Sequence, residues 1–234
     1  MIKGIYVAAR GLDSRMKNLE IVSNNLANIN TTGFKREVPF SEIMNQAGQT
    51  QIQKVVDYSQ GTLTQTSNPL NLAISGKGFF VVQTPNGNEL TRNGNFQIDS
   101  NGFLTDGQGN KVLGRNGQIN LLSYSLDKNQ QVTVSNTGML KVGDTIVDTL
   151  MIAKPVDPQD ITRTGGTNFL SNSGIKPVDE NNFQVKQGYL EESNVNPIKE
   201  MEEMIQLNTE YGSAQKMINF LDQSLDEANQ VGKV

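Results

Sequence analysis

Whatever chemistry this sequence performs is done without histidine or cysteine, since neither occurs among its 234 residues. That removes Ser-His-Asp relays, His-ligated metals, thiolate nucleophiles, thiolate metal sites and disulfides. Carboxylates, lysines and hydroxyls remain. Gly76-Lys77 invites comparison with a phosphate-binding loop. That loop needs a glycine five residues before Gly76 and a Ser or Thr after the lysine. The sequence has Asn71 and Gly78 in those places. Asp99-Ser100-Asn101-Gly102 and Asp106-Gly107-Gln108-Gly109-Asn110 invite comparison with calcium loops. Phe103 stands where the first would need another oxygen ligand, and neither has a glutamate in register. Both read as turns. Two carboxylates alone can hydrolyse a glycosidic bond, but no stretch proposes such a pair, and the chain has no Trp to stack a sugar. The expectation is a protein with no catalytic residue, no cofactor and no metal.

The bulk composition excludes further classes. A net charge of −4 gives no basic face for nucleic acid. No stretch approaches the roughly 20 apolar residues of a membrane span, so no membrane insertion is expected. The short apolar run at residues 5–9, ended by Arg10, is too brief for a secretory h-region. Export, if it occurs, would use no cleaved signal peptide. Hydrophobic residues make up 35% of the chain, below the roughly 45–50% of a typical domain counted with Gly. Such a chain buries a modest core.

Two end segments would position whatever the protein presents to partners. Near the N-terminus, Ile2, Ile5, Ala9, Leu12, Met16, Leu19 and Leu26 recur alternately three and four residues apart, with Ser23 in the vacant slot. This period of 3.5 marks a coiled-coil seam. The helix should stop near residues 28–33, where Asn and Thr favour turns and Gly33 can take the left-handed cap. Near the C-terminus, Asn196 suits an N-cap and Pro197 the first helical position. A second seam then follows through Met204, Leu207, Tyr211, Ala214, Ile218, Leu221, Leu225 and Ala228. The first segment carries four basic residues against two acidic, the last two basic against seven acidic. Opposite charge favours pairing of unlike helices.

Between the ends the sequence reads as strands and turns. Gly78-Phe79-Phe80-Val81-Val82-Gln83 is a strand, and Pro85-Asn86-Gly87-Asn88 carries the Asn-Gly signal of a tight hairpin. Short strands at intervals of about 8–12 residues suggest a sandwich or small barrel. Before them, residues 41–44 suit a helical turn, 49–53 an extended stretch, and 54–58 with 62–66 a hairpin across Ser59-Gln60-Gly61. Residues 183–190 read as one returning strand. The fold expected is α+β: N- and C-terminal helices forming a coiled-coil stalk, with an inserted all-β domain. The segments are 1–34 for the first assembly helix, 35–66 for an extended connecting arm, 67–190 for the β domain and 191–234 for the last helix.

Four stretches carry a family resemblance. Ser23-Asn24-Asn25-Leu26-Ala27-Asn28-Ile29-Asn30-Thr31-Thr32-Gly33-Phe34-Lys35 resembles the N-terminal signature of bacterial flagellar rod and hook proteins. Gly76-Lys77-Gly78-Phe79-Phe80 and Thr91-Arg92-Asn93-Gly94-Asn95-Phe96 resemble that family's central motifs. Gly188-Tyr189-Leu190-Glu191-Glu192-Ser193-Asn194-Val195-Asn196-Pro197, with Met204-Ile205, resembles its C-terminal motif. Leu90 stands where the family often has Tyr, and residues 134–176 carry no placeable motif. Proximal and distal rod positions are both open.

The resemblance implies a structural subunit of the flagellar basal-body rod. Subunits would polymerise into a helical tube that transmits torque from motor to hook, terminal helices inside and β domains outside. Partners would be other copies of the chain, other rod and hook proteins, and the flagellar type III export apparatus, which passes subunits through unfolded. The residues expected to carry assembly are Ile5, Leu12, Met16, Leu19 and Leu26 on the first helix and Leu207, Tyr211, Ile218, Leu221 and Leu225 on the last. Asn24, Asn25 and Asn28 are expected to make polar contacts at the first helix end. Two other classes compete with this reading: an adhesin-like extracellular β-domain binding module on a helical stalk, and a carboxylate-dependent cell-wall hydrolase.

Overall fold

A computed structural model of the chain describes residues 2–44, 50–122, 131–157 and 160–231. The fold is α+β, with two long helices and an all-β region between them in sequence. The chain divides into two compact units. Unit 1 holds residues 1–29, 36–57 and 195–234; unit 2 holds 30–35 and 58–194. Residues 35–66, read above as one connecting arm, are divided between them.

Unit 1 is built on helices α1 (Ile2–Ala27) and α2 (Pro197–Val231). They pack along each other within one chain. Single amphipathic helices are marginal in water, so most of their stability comes from this mutual packing. A hairpin of strands β1 (Glu37–Met44) and β2 (Thr50–Val56) completes the unit. The helical turn expected at 41–44 is therefore a correction: these residues are strand, with a bulge between Phe40 and Ile43. An uncapped four-residue helical turn satisfies few backbone groups, whereas pairing with β2 satisfies them along the whole segment. Of the extended stretch expected at 49–53, Gln49 lies outside the described residues and the rest is in β2.

Unit 2 is antiparallel throughout. Its largest sheet runs, in spatial order, Ile161–Gly165, Asn168–Ser171, Gly87–Thr91, Phe79–Thr84, Lys111–Gly114, Leu104–Thr105 and Gln97–Ile98. Strand Phe79–Thr84 is central, and Phe79, Phe80, Val81 and Val82 are all buried. An unbroken apolar run is what a strand covered on both faces requires. The core gathers Phe80, Phe96, Leu104, Val112, Ile119, Leu140, Ile152 and Val185 among others. Phe80 and Phe96 meet edge to face at 5.0 Å, the favourable aromatic geometry.

The hairpin expected from 54–58 and 62–66 does not form. β2 pairs with β1, while Leu63–Gln65 pairs with Tyr189–Glu191. The expected strand at 183–190 is also two strands. Gly188, at φ +77°, ends Phe183–Gln187, which pairs with Leu72–Gly76, before Tyr189–Glu191 turns to its different partner. The partners of Leu63–Gln65, Phe183–Gln187 and Tyr189–Glu191 lie more than a hundred residues away, out of reach of local pattern, whereas residues 54–56 are taken by the nearby β1.

Candidate assembly surface and ionic clasp

The start of α2 follows from its residues. Asn196 Oδ1 accepts the N–H groups of Ile198 and Lys199 at 3.1 and 3.3 Å, satisfying donors that have no partner inside a helix. Pro197 is the first helical residue, where its missing N–H costs nothing. α1 ends at Ala27, and Gly33 follows at φ +70°.

The seam of α2 faces α1. Leu207 is buried, and Met204, Tyr211, Ala214, Ile218 and Leu221 are half-buried. The side chains of Leu225 and Ala228 lie outside the described residues, as does that of Ile5. On α1, Leu12, Leu19 and Leu26 of the expected seam are half-buried, as are Ala8, Gly11, Arg15 and Asn18 beside them; Ile21, Val22 and Asn25 are buried and Met16 is exposed. The small side chains of Ala8, Gly11, Ser213 and Ala214 leave an open groove between the helices, rimmed by Val7 and Met217. Arg15 faces Glu210 across it at 3.4 Å.

Substantial apolar surface stays outside this packing. Tyr6, Val7 and Met16 on α1 and Ile198, Met201, Ile205, Met217 and Phe220 on α2 are exposed, Ile198 and Phe220 by 72% and 75%. Contiguous exposed apolar residues of this kind mark interaction surfaces.

The three asparagines divide. Asn24 is exposed, and its carbonyl accepts from Asn28 Nδ2 at 2.9 Å. Asn25 is fully buried. Its Oδ1 accepts the Glu37 N–H at 2.9 Å, and its Nδ2 donates to the Glu37 carbonyl at 2.8 Å and to Glu200 Oε2 at 3.0 Å. Glu200, also buried, takes Arg36 Nε on its other oxygen. Arg36 NH2 reaches Glu203 at 3.1 Å. One amide and one guanidinium thus tie the end of α1 and the start of β1 to the first turns of α2.

Unit 2 contains a second ionic cluster. Glu191 is fully buried and bridges two buried cations. Its Oε1 lies 2.6 Å from Lys35 Nζ and its Oε2 2.9 Å from Arg92 NH1. Lys35 also donates to the Ser59 carbonyl at 2.6 Å, and Arg92 to the carbonyls of Ile74 and Gly76 at 3.1 and 2.6 Å. Gly61 N–H adds a bond to Glu191 Oε1 at 3.0 Å. The Arg92 guanidinium lies 5.2 Å from the Phe79 ring centre. Burial pulls the Arg92 pKa below its ordinary value, and Glu191 opposes that pull through its charge and hydrogen bond. The backbone closes around the cluster: Gly33 N–H donates to the Glu191 carbonyl at 2.7 Å and Glu192 N–H to Thr62 at 2.8 Å. Arg163 covers Phe34 at 4.2 Å and donates to the Lys35 carbonyl at 2.6 Å.

The charged groups of Lys35, Arg92, Glu191 and Glu200 are buried against their partners. The two candidate calcium loops are closed on themselves: Asp99 Oδ1 accepts from Asn101 and Phe103, and Asp106 Oδ1 from Gln108 and Asn110. Among the described residues no group of three acidic side chains could hold a metal, and no helix is long and apolar enough to cross a membrane.

Comparison with known proteins gives these positions a common context. Residues 5–35 match the model of the flagella basal body rod protein family, residues 73–142 the D1 domain of the flagellar hook proteins FlgE/F/G, and residues 186–231 the C-terminal segment of the flagellar basal body rod FlgEFG proteins. The chain is 32% identical to the flagellar basal-body rod protein FlgG of Buchnera aphidicola subsp. Schizaphis graminum, over 99% of this chain and 100% of that protein. It is 30% identical to the rod protein FlgF of Caulobacter vibrioides over the full length of both. The chain belongs to the flagellar basal-body rod protein family. In the second ionic cluster, Lys35, Arg92 and Glu191 fall one in each of the three matched segments. All three residues lie inside the motifs that carry the family resemblance, yet none is among the residues the sequence marks for assembly. Their signal was charge inside stretches otherwise made of Gly, Asn and apolar residues, and only the fold shows that the charges meet.

Proposed function

We propose that this chain is a structural subunit of the flagellar basal-body rod, without enzymatic activity. Copies assemble into a helical tube that carries torque from motor to hook, together with other rod and hook proteins. Subunits reach it outside the cytoplasmic membrane through the flagellar export apparatus. The helices carry the assembly contacts: their coiled-coil seams pair within the subunit and with neighbouring copies, and the apolar residues left exposed beside them meet neighbouring subunits. Ile5, Leu12, Met16, Leu19 and Leu26 serve on α1 and Leu207, Tyr211, Ile218, Leu221 and Leu225 on α2, with Asn24, Asn25 and Asn28 holding the end of α1. The observation that carries this reading is the apolar surface left exposed on both helices after they have packed on each other. A surface that is not the same patch on both partners generates a ring or a filament. Burying each such side chain contributes about 1.5–3 kcal/mol.

The test uses exposed positions, where a charge leaves the subunit fold intact. Ile205→Asp and Phe220→Asp should give folded monomers with unchanged unfolding midpoints, and strains carrying them should not swim or complete rods. Leu221→Asp, at the half-buried seam, should lose motility while unit 2 stays folded. Normal swimming by all three strains would end the proposal.

A further inference from the structure

We propose that Lys35, Arg92 and Glu191 form an ionic latch that closes unit 2 where the chain enters and leaves it, and that the latch opens separately from the β core. The three charges come from segments far apart in sequence: Lys35 and Glu191 are 156 residues apart, Arg92 and Glu191 99. Glu191 belongs to the last of these segments to appear in the chain. Lys35 and Arg92 cannot both be buried before it is in place, because a buried charge without its partner is strongly destabilising. Residues 33–35 therefore settle against unit 2 only once residues 188–192 are in place.

The backbone around the latch is equally conditional. Gly33 N–H and Gly61 N–H both bond to Glu191, the first to its carbonyl and the second to its carboxylate. A Cβ on Gly61 would lie 2.1 Å from the Glu192 carbonyl oxygen, and one on Gly33 2.3 Å from Asn93 N. Residue 33 thus approaches residues 92–93, and residue 61 residue 192, backbone to backbone. By contrast the core, centred on Phe80, Phe96 and Val112, is apolar and contains none of the three charges. Segments held by a few polar contacts open at lower free energy than a packed apolar core. The latch gives unit 2 two closure steps, an apolar collapse and an ionic sealing of its chain ends.

Hydrogen exchange on the full chain reads this directly. In Glu191→Gln, exchange at the amides of Gly33, Gly61 and Glu192 should accelerate by at least about a hundredfold. The amides of Phe79–Thr84 should change by less than about threefold. Lys35→Met combined with Glu191→Gln should recover part of the lost protection, because one uncompensated cation is gone. If Glu191→Gln does not fold, Glu191→Asp, which keeps the charge on a shorter arm, should show the same local pattern at smaller size. Equal acceleration at both sets of amides, or none at the first, overturns the latch. So does failure of both single variants to fold, since sealing would then be inseparable from the core.

Discussion

Replacing Gly33 by alanine separates two costs that are usually confounded. The first is conformational. At φ +70° an alanine sits in the left-handed region, which costs an L-residue about 1–2 kcal/mol. The second is steric. The new Cβ would lie 2.3 Å from Asn93 N and 2.5 Å from the Arg92 carbonyl carbon. These are backbone atoms, so no rotamer change relieves the overlap, and the chain itself must shift. Overpacking of this kind costs about 1–3 kcal/mol. Gly33→Ala should therefore destabilise by about 2–5 kcal/mol. Gly109 is the control, since its φ is +85° and nothing lies within 4 Å of its Cβ position. Gly109→Ala should cost only the conformational term, about 1–2 kcal/mol. Urea unfolding of the full chain, followed by tyrosine fluorescence because there is no Trp, gives both values. Equal destabilisation by the two substitutions would refute the close approach of residue 33 to the Arg92-Asn93 backbone.

Three further outcomes follow from single groups. Asn196→Ala removes the oxygen that accepts from Ile198 and Lys199; α2 should lose about 1 kcal/mol, seen as faster amide exchange in its first turn. Asn25→Ala leaves the Glu37 backbone and one Glu200 oxygen without their buried partner. It should destabilise unit 1 by about 1–3 kcal/mol in thermal melts. Tyr58 is pushed up to about 12 by burial, against the opposing charge of Arg163. The folded state therefore holds this proton more tightly than the unfolded state. The stability it contributes is complete below pH 10 and declines as pH rises from about 10 towards 12. Absorbance titration should show one late tyrosine, absent in Tyr58→Phe.

The parts of this protein that were legible in its sequence rest on local physics. The first turn of α2 needs only Asn196, Pro197 and the early glutamates, all within a few residues. The buried part of the central strand, residues 79–82, announces itself as an unbroken apolar run. The termination of α1 before Gly33 follows from residues that prefer turns. What failed were assignments whose partners lie elsewhere. Residues 62–66 have the composition of a hairpin strand, and nothing nearby shows that Leu63–Gln65 pairs instead with Tyr189–Glu191.

The sequence by itself determined that both ends are helices with a 3.5-residue apolar period, because that period is a property of each segment alone. Tertiary structure decided how far each side of α1 is covered: Ile21, Val22 and Asn25 are buried, while Met16 of the expected seam is exposed. It also decided that a lysine, an arginine and a glutamate are interior residues. Each charge alone would be solvated at a surface; only a fold that brings residues 35, 92 and 191 within hydrogen-bonding distance makes their burial tolerable.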